Sequence, residues 1–191
     1  MEIEDQPIDS VRGEIMTIEA MASKSYWAAV SKIIPDEFGF EGRSGRGAED
    51  PVNAMLNYGY SILEGEVWRG VHYAGLDPYG GFLHVDRPGR PSLVLDLMEE
   101  FRQQLVDKVV LGLITKRMAA PEDFTYEGDR CLIGEDLRRR LVVKVLDKFE
   151  RYQWYRGRRR RWCDIVHMQA VEVAKYLRGE VGRYDGFYLR W

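Results

Sequence analysis

The segment between Asp50 and Gly75 most constrains the fold, because its apolar residues fall at helical spacing on nearly every side. An aspartate followed by a proline is typical of a helix start, and a glycine just past the last apolar turn is typical of a helix end. A helix that is apolar on most sides is usually buried. The pattern therefore predicts a central, buried helix over residues 51–74, with the rest of the chain packed around it.

Four other segments carry helical patterns, and together they predict a mainly α protein. These predicted helices cover residues 9–34, 93–116, 135–155 and 162–177. The first has an apolar stripe at helical spacing, which consists of Val11, Ile15, Ile18, Ala22, Tyr26, Ala29 and Ile33. Residues 124–133 contain a Gly-Asp turn between two apolar runs and favour a small β-hairpin. The expected fold is one compact helical domain.

Composition favours a soluble, cytoplasmic protein over a secreted or membrane protein. The chain has 191 residues, enough for one domain with a sizeable core, and 45% of them are hydrophobic. No apolar run approaches the roughly 20 residues of a membrane span, and the acidic first residues are unlike a secretory signal. Cys131 and Cys163 are too few for a disulfide framework or a cysteine zinc site, which indicates a reducing compartment.

The net charge of −3 hides an uneven distribution along the chain. Residues 1–100 carry 18 acidic and 8 basic side chains, whereas residues 101–191 carry 13 acidic and 20 basic ones. An acidic half suits metal binding and a basic half suits phosphate binding. Charge pairing between the two halves within the fold would produce the same distribution, so the asymmetry leaves both interpretations open.

Residues 79–101 hold the densest cluster of candidate metal ligands. His84 comes shortly before a Pro-Gly turn, and that turn leads into the next predicted helix. Asp96, Glu99 and Glu100 lie at offsets of three and four along that helix, which places them on one face. A histidine just before a helix with acids on its first turns is a layout that can hold a divalent metal, provided that another segment supplies a further ligand.

Three groups of arginines are candidates for contact with nucleic-acid phosphates. One lies in a glycine-rich loop, one flanks the Pro-Gly turn, and one follows Trp154 and Tyr155, which add stacking partners. The candidates are Arg43, Arg46, Arg87, Arg90, Arg156, Arg158, Arg159, Arg160 and Arg161. A plain glycine-rich connector and a solvated basic turn are the alternatives for the first and third groups.

Several motifs occur in order and close together across the middle of the chain. They are Asn53-Ala-Met-Leu-Asn-Tyr-Gly-Tyr-Ser-Ile-Leu63, Ala74-Gly-Leu-Asp-Pro-Tyr79, Gly81-Phe-Leu-His84, Asp86-Arg-Pro-Gly-Arg-Pro-Ser92 and Leu97-Met-Glu-Glu-Phe-Arg102. Together they resemble the catalytic domain of the CRISPR-associated adaptation integrase, a family of metal-dependent DNA endonucleases that insert new spacers into CRISPR arrays. The resemblance extends from Ile8 to Trp191, essentially the whole chain.

The resemblance implies a metal site assembled from three parts of the chain. In that family the ligands are a glutamate in an early helix, a histidine, and an acid on the following helix. Glu19, His84 and Glu99 occupy those positions, with Asp96 in support as a catalytic residue, and the implied cofactor is Mg²⁺ or Mn²⁺. The family usually has glycine after the first glutamate, whereas this chain has Ala20, the better helix former. Three other acids are not expected to bind the metal: Glu64, Glu66 and Glu100.

The resemblance also implies a layout and partners. Residues 1–34, 51–116 and 135–191 correspond to the first helix, the metal-site core and the basic C-terminal helices of a single domain, 1–191. The family's N-terminal β-rich domain, which contributes to dimer formation, is expected to be absent here. Expected partners are double-stranded and branched DNA, a second copy of the chain in the full-length family, and the small second subunit of CRISPR adaptation. No membrane partner is expected.

Two functions from different classes follow from these residues. As an enzyme, the domain would use a bound cation to polarise the scissile phosphate, with a DNA 3′-hydroxyl as nucleophile for integration and water for hydrolysis. As a binding module, the domain would hold DNA or a partner, with little activity in the absence of the N-terminal domain.

Overall fold

A computed structural model describes residues 6–45, 47–85 and 87–188, and it confirms the mainly α fold. Its helices are Ile8–Ser31 (α1), Pro51–Tyr73 (α2), Ser92–Glu99 (α3), Lys108–Thr115 (α4), Glu135–Glu150 (α5) and Trp162–Leu177 (α6). Its strands form two antiparallel hairpins, Phe124–Glu127 (β1) with Arg130–Ile133 (β2), and Tyr152–Tyr155 (β3) with Arg158–Arg161 (β4). Within these described residues, no helix is long and apolar enough to cross a bilayer.

Helix α2 forms the centre of the domain, as its all-round apolar pattern predicts. Its Val52, Met55, Leu63 and Val71 side chains are fully buried, and α3, α5 and α6 pack around it. The predicted start is also confirmed, because the Asp50 carboxylate accepts a hydrogen bond from the Asn53 backbone N–H at 2.9 Å. This helix fixes the positions of the segments that carry the candidate site.

The prediction of one helix over residues 135–155 is wrong in its last turn. Helix α5 ends at Glu150, and the predicted basic turn is instead the β3–β4 hairpin. Arg156 and Gly157 form its tip with φ values of 47° and 74°, the left-handed conformations that a type I′ hairpin turn requires. The run of bulky aromatic and arginine residues supports strand pairing, and the glycine permits the tight reversal.

The prediction of one continuous helix over residues 93–116 is also wrong. Helix α3 ends at Glu99, and a π-helical turn, Gln103–Asp107, precedes α4. This turn packs directly on the backbone of α2, because a Cβ atom at Gly59 would lie only 2.5 Å from Cγ1 of Val106. The wider turn places Asp107 in the interior, where Asp107 is only 1% exposed. Such π-helical turns are often found at functional sites.

Helix α1 is less buried than its apolar stripe predicts. Val11, Trp27 and Val30 are buried, whereas Ile18 and Ile33 of the predicted stripe are 53% and 55% exposed. The helix touches the domain mainly near its two ends, so most of its middle turns face open space. The prediction assumed one continuous contact face, and only the last turns of α1 pack against the core.

Candidate active site

A carboxylate on α3 supports His84 and its loop. Asp96 Oδ1 lies 2.5 Å from Nδ1 of the His84 ring and accepts the His84 backbone N–H at 3.0 Å. Asp96 Oδ2 accepts the backbone N–H groups of Phe82 and Leu83 at 2.6 and 3.0 Å. A carboxylate on Nδ1 stabilises the proton there, which leaves the Nε2 lone pair of His84 available for another ligand.

The charge of Asp96 is stabilised by these contacts. Burial alone would raise the pKa of Asp96, but the hydrogen bonds from the His84 ring and the three backbone N–H groups outweigh it, so the pKa lies below its usual value. The loop can approach α3 this closely because Gly81 lacks a side chain. A Cβ atom there would lie 2.5 Å from the Ser92 Cβ and 2.7 Å from the His84 carbonyl oxygen.

The second acid of α3, Glu99, faces a cation and another predicted ligand. Its Oε1 atom lies 3.0 Å from Nη1 of Arg102. Burial raises the pKa of Glu99; the Arg102 guanidinium opposes the shift, and the nearby negative charge of Glu19 adds to it. Glu19 and Glu99 line one cleft of 300 Å³ between α1 and the body of the domain.

His84 lines a larger neighbouring cleft of 980 Å³, and three side chains line both clefts. These shared side chains are Arg43, Tyr60 and Arg102, so the two clefts adjoin each other, and we refer to the pair as one depression. The structure thus places the ligands that the resemblance implies around one arginine-lined depression. Glu64, which is not expected to bind a metal, also lines the larger cleft.

A buried carboxylate forms the floor of the depression. Asp107 accepts hydrogen bonds from the Tyr60 hydroxyl at 2.6 Å and from the Tyr26 hydroxyl at 2.9 Å. Burial raises the pKa of Asp107, although the two hydroxyl bonds and the nearby Arg102 and Arg43 oppose the shift. Because Tyr26 lies on α1 and Tyr60 on α2, this group ties the helix that carries Glu19 to the core.

The donor types fit a divalent cation, but the predicted ligands do not close around one position in this structure. Carboxylate oxygens with a neutral imidazole suit Mn²⁺ well and Mg²⁺ acceptably. Among residues 6–45, 47–85 and 87–188, no three His, Cys, Asp or Glu side chains lie close enough together to hold an ion. Glu99 is instead paired with Arg102 at 3.0 Å.

Glu100 has a structural contact that the helical-face argument missed. Its two carboxylate oxygens accept hydrogen bonds from the Tyr184 hydroxyl at 2.5 Å, the Gln169 side chain at 2.9 Å and the Phe187 backbone N–H at 2.8 Å. The prediction that Glu100 shares one face with Asp96 and Glu99 is therefore wrong, whereas its contacts agree with the expectation that it does not bind the metal. Glu100 anchors the segment after α6, and it faces away from Glu99.

The predicted DNA-contacting arginines of the first two groups differ in how firmly neighbouring side chains hold them. Arg43 donates to Oδ1 of Asn53 at 2.8 Å and to Oδ1 of Asn57 at 2.6 Å, and its pKa is lowered chiefly by burial. Arg87 and Arg90 line the larger cleft beside His84. The remaining member of these groups, Arg46, lies outside the described residues.

The third arginine group occupies the β3–β4 hairpin, and only part of it is available to a ligand. Arg156 pairs with Glu172 at 3.1 Å, and Arg161 pairs with Asp164 at 2.9 Å and Glu150 at 3.1 Å. Arg159 lies over the ring of Tyr152 at 5.5 Å. Arg156, Arg158 and Arg159 are exposed, beside the exposed ring of Trp154, whereas Arg160 and Arg161 are half-buried.

Sequence reasoning missed Arg102, Tyr60 and Asp107, which lie between the predicted ligands. Arg102 was detectable in principle, because a basic residue three positions after Glu99 on a helix reaches the same face. Asp107 and Tyr60 carry no such local signal. Their contact depends on the π-helical turn and on the close packing at Gly59.

The described residues place two carboxylates and a carboxylate-supported histidine beside arginine-lined clefts, an arrangement chemically suited to binding phosphate groups. The family model described as CRISPR associated protein Cas1 matches residues 2–147. The chain therefore belongs to the Cas1 family, as the motifs in its sequence indicate.

Individual relatives agree with this assignment. The CRISPR-associated endonuclease Cas1 1 of Archaeoglobus fulgidus is 48% identical over 195 residues, which cover 99% of this chain and 56% of the relative. A casposase bound to its integration product has a TM-score of 0.86 at 31% identity, covering 91% of this chain and 50% of that protein. A Cas6-RT-Cas1–Cas2 complex shares the fold, with a TM-score of 0.82 at 21% identity over 92% of this chain and 20% of that one. The chain thus spans about half the length of the first two proteins.

Proposed function

We propose that this chain carries the divalent-metal-dependent DNA endonuclease and integrase activity of CRISPR adaptation. In this proposal it inserts new spacers into a CRISPR array by strand transfer at phosphodiester bonds, and it also cleaves branched DNA. The observation that carries the proposal is the placement of Glu19, His84 and Glu99 around one depression lined by Arg43 and Arg102. The names of the relatives, an endonuclease and a casposase with its integration product, support the same reaction class.

Each of the chain's own residues has a chemical role in this proposal. Glu19, Glu99 and Nε2 of His84 hold Mg²⁺ or Mn²⁺, which when bound polarises the scissile phosphate and stabilises the attacking or leaving oxygen. Asp96 fixes the ring of His84 through Nδ1 and keeps its loop against α3. No side-chain nucleophile is needed, because the attacking group is a DNA 3′-hydroxyl or water.

The proposed substrates are double-stranded and branched DNA. Phosphate contacts position DNA without reading its bases, so binding should be tolerant of sequence. The proposed contacts are Arg43, Arg46, Arg87, Arg90, Arg156, Arg158, Arg159, Arg160 and Arg161. The ion pairs of Arg156 and Arg161 predict that Arg158 and Arg159 contribute more within the hairpin group. A second copy of the chain and the small second adaptation subunit are proposed partners, because the family to which the chain belongs implies both.

The test compares four variants on branched DNA in the presence of Mn²⁺. Glu19→Gln, His84→Ala and Glu99→Gln should each lower cleavage and strand transfer by on the order of 10²–10³-fold. Glu64→Gln is the matched control, since Glu64 lines the same depression but is not an expected ligand. Full activity in any of the first three variants would contradict the ligand set.

A second candidate function is DNA or partner binding with little turnover. The observation that favours it is the exposed middle of α1, which carries Glu19. The same experiment separates the two functions. A parent protein that binds branched DNA as tightly as its variants, and turns over none of it in Mn²⁺, supports the binding module.

A further inference from the structure

Arg102 occupies the junction of the two clefts and has no role in the ligand set described above. Its side chain is 29% exposed and pairs with Glu99, three residues earlier, through Nη1 at 3.0 Å. Its guanidinium carbon lies 5.0 Å from the centre of the Tyr60 ring. Its Nε atom is buried and has no hydrogen-bond partner in the structure.

The surroundings of Arg102 suit an anion. Arg43 lies over the same Tyr60 ring at 5.2 Å, so two guanidinium groups share one aromatic support. The Tyr60 ring is held by its hydroxyl bond to Asp107 at 2.6 Å. Guanidinium groups bind phosphate through paired hydrogen bonds, and they bind best when their side chains are already positioned.

The guanidinium of Arg102 also supplies the positive charge beside Glu99 that a bound metal cation would supply. A divalent ion on Glu99 would lie beside the guanidinium, and the two positive charges would repel each other. We propose that Arg102 neutralises Glu99 when no metal is bound, and that metal binding releases its guanidinium to hold a DNA phosphate at the reacting site. This inference rests on the proposed function, because it assumes that Glu99 is a metal ligand.

The proposal makes metal and DNA binding mutually reinforcing. Metal on Glu99 frees Arg102 for phosphate, and by linkage phosphate on Arg102 strengthens metal binding by the same factor. Without Arg102, Glu99 has no competing cation, so metal binding to the DNA-free protein becomes stronger. An ordinary structural arginine predicts the opposite or no change, which makes the direction of the effect decisive.

The test measures Mn²⁺ binding by electron paramagnetic resonance, with and without a short DNA duplex. Arg102→Gln should bind Mn²⁺ more tightly than the parent in the absence of DNA, by on the order of five-fold. It should lose the enhancement of DNA binding by Mn²⁺ that the parent shows. Arg102→Lys keeps the charge but loses the paired donors, so it should restore the weaker Mn²⁺ binding without restoring the full enhancement.

Arg69→Gln is the matched control, because Arg69 pairs with Glu66 at the same three-residue spacing on α2 and lines neither cleft. It should behave as the parent in both measurements, and melting temperatures establish that each variant is folded. Weaker or unchanged Mn²⁺ binding by Arg102→Gln would overturn the inference. A parent that binds Mn²⁺ and whose Glu99→Gln variant binds it equally well would instead overturn the ligand set, and the inference with it.

Discussion

The two halves of the candidate site differ in how firmly the protein holds them. The His84 half is fixed locally: one carboxylate, Asp96, accepts three consecutive backbone N–H groups and the imidazole within 3.0 Å. The Glu19 half depends on α1, whose middle turns are exposed and whose polar contacts with the rest of the domain lie towards its ends. Arg12 donates to the Phe82 carbonyl oxygen at 3.1 Å, and the Tyr26 hydroxyl donates to Asp107 at 2.9 Å. The difference indicates that the histidine is preorganised, whereas the glutamate must be brought into place.

Removing the Asp96 carboxylate, which fixes the His84 half of the candidate site, should have the largest effect on metal affinity. Asp96→Ala removes the partner of Nδ1 of His84 and leaves three backbone N–H groups without an acceptor. Loss of such a supporting group typically lowers metal affinity by about 10–100-fold. Mn²⁺ titration checks this prediction. Asp96→Asn, which keeps some of the hydrogen-bond acceptors, should have a smaller effect, and equal affinities in parent and Asp96→Ala would refute the supporting role.

Acid should separate metal binding from folding. The pKa of Glu99 is raised mainly by burial, so protons compete with metal at higher pH than at an ordinary glutamate, and His84 must also be unprotonated to ligate. Mn²⁺ affinity should therefore fall by about ten-fold or more between pH 7 and pH 5. The pKa of Asp96 is lowered, so its stabilising contribution is present above the unfolded value of about 3.9 and is lost only as pH falls through the folded value.

At pH 5 the stabilising contribution of Asp96 should therefore be retained while metal binding weakens, and the raised pKa values of Glu99 and Asp107 should make the apo protein no less stable than at neutral pH. Parallel calorimetry and Mn²⁺ titration across this range check the separation. Metal affinity that does not change down to pH 5 would count against both His84 and Glu99 as ligands.

Loosening the weak half should have the smallest effect on stability. Tyr26→Phe removes one of two hydroxyl donors to Asp107 and should lower the free energy of unfolding by about 1–2 kcal/mol. Because Tyr26 and Glu19 are separated by two turns of α1, the same change should weaken Mn²⁺ binding. Tyr184→Phe, which removes a hydroxyl donor to Glu100 on the opposite side, is the control. It should lower stability without weakening Mn²⁺ binding.

Local signals in the sequence were sufficient to predict the elements around the His84 half of the candidate site. The helix start at Asp50-Pro51, the hairpin at 124–133 and the histidine followed by Asp96 all depend on residues near each other in the chain. The second hairpin was missed because its aromatic and arginine residues continue the helical pattern of α5. The role of Glu19 came from the resemblance alone, since an exposed glutamate on an exposed helix carries no local signal.

The contacts between the His84 half and the Glu19 half could not be predicted from the sequence, for a different reason. Tyr60 meets Asp107, 47 positions away, only because Gly59 allows Val106 to pack against the α2 backbone. The π-helical turn that directs Asp107 inward has no composition that distinguishes it from an ordinary helical turn. Such contacts follow from packing distances, which the order of residues does not contain.

The consecutive residues Glu99 and Glu100 connect the end of α3 to two different parts of the molecule. Successive side chains on a helix diverge by about 100°, so one peptide unit carries a predicted ligand towards the cleft and an anchor towards the segment after α6. Tyr184 and Phe187 hold that segment to Glu100 at 2.5 and 2.8 Å. The hydrogen bonds that hold residues 184–187 are therefore made one residue away from a predicted ligand, so the two neighbouring carboxylates connect this segment and the candidate site to the same helix end.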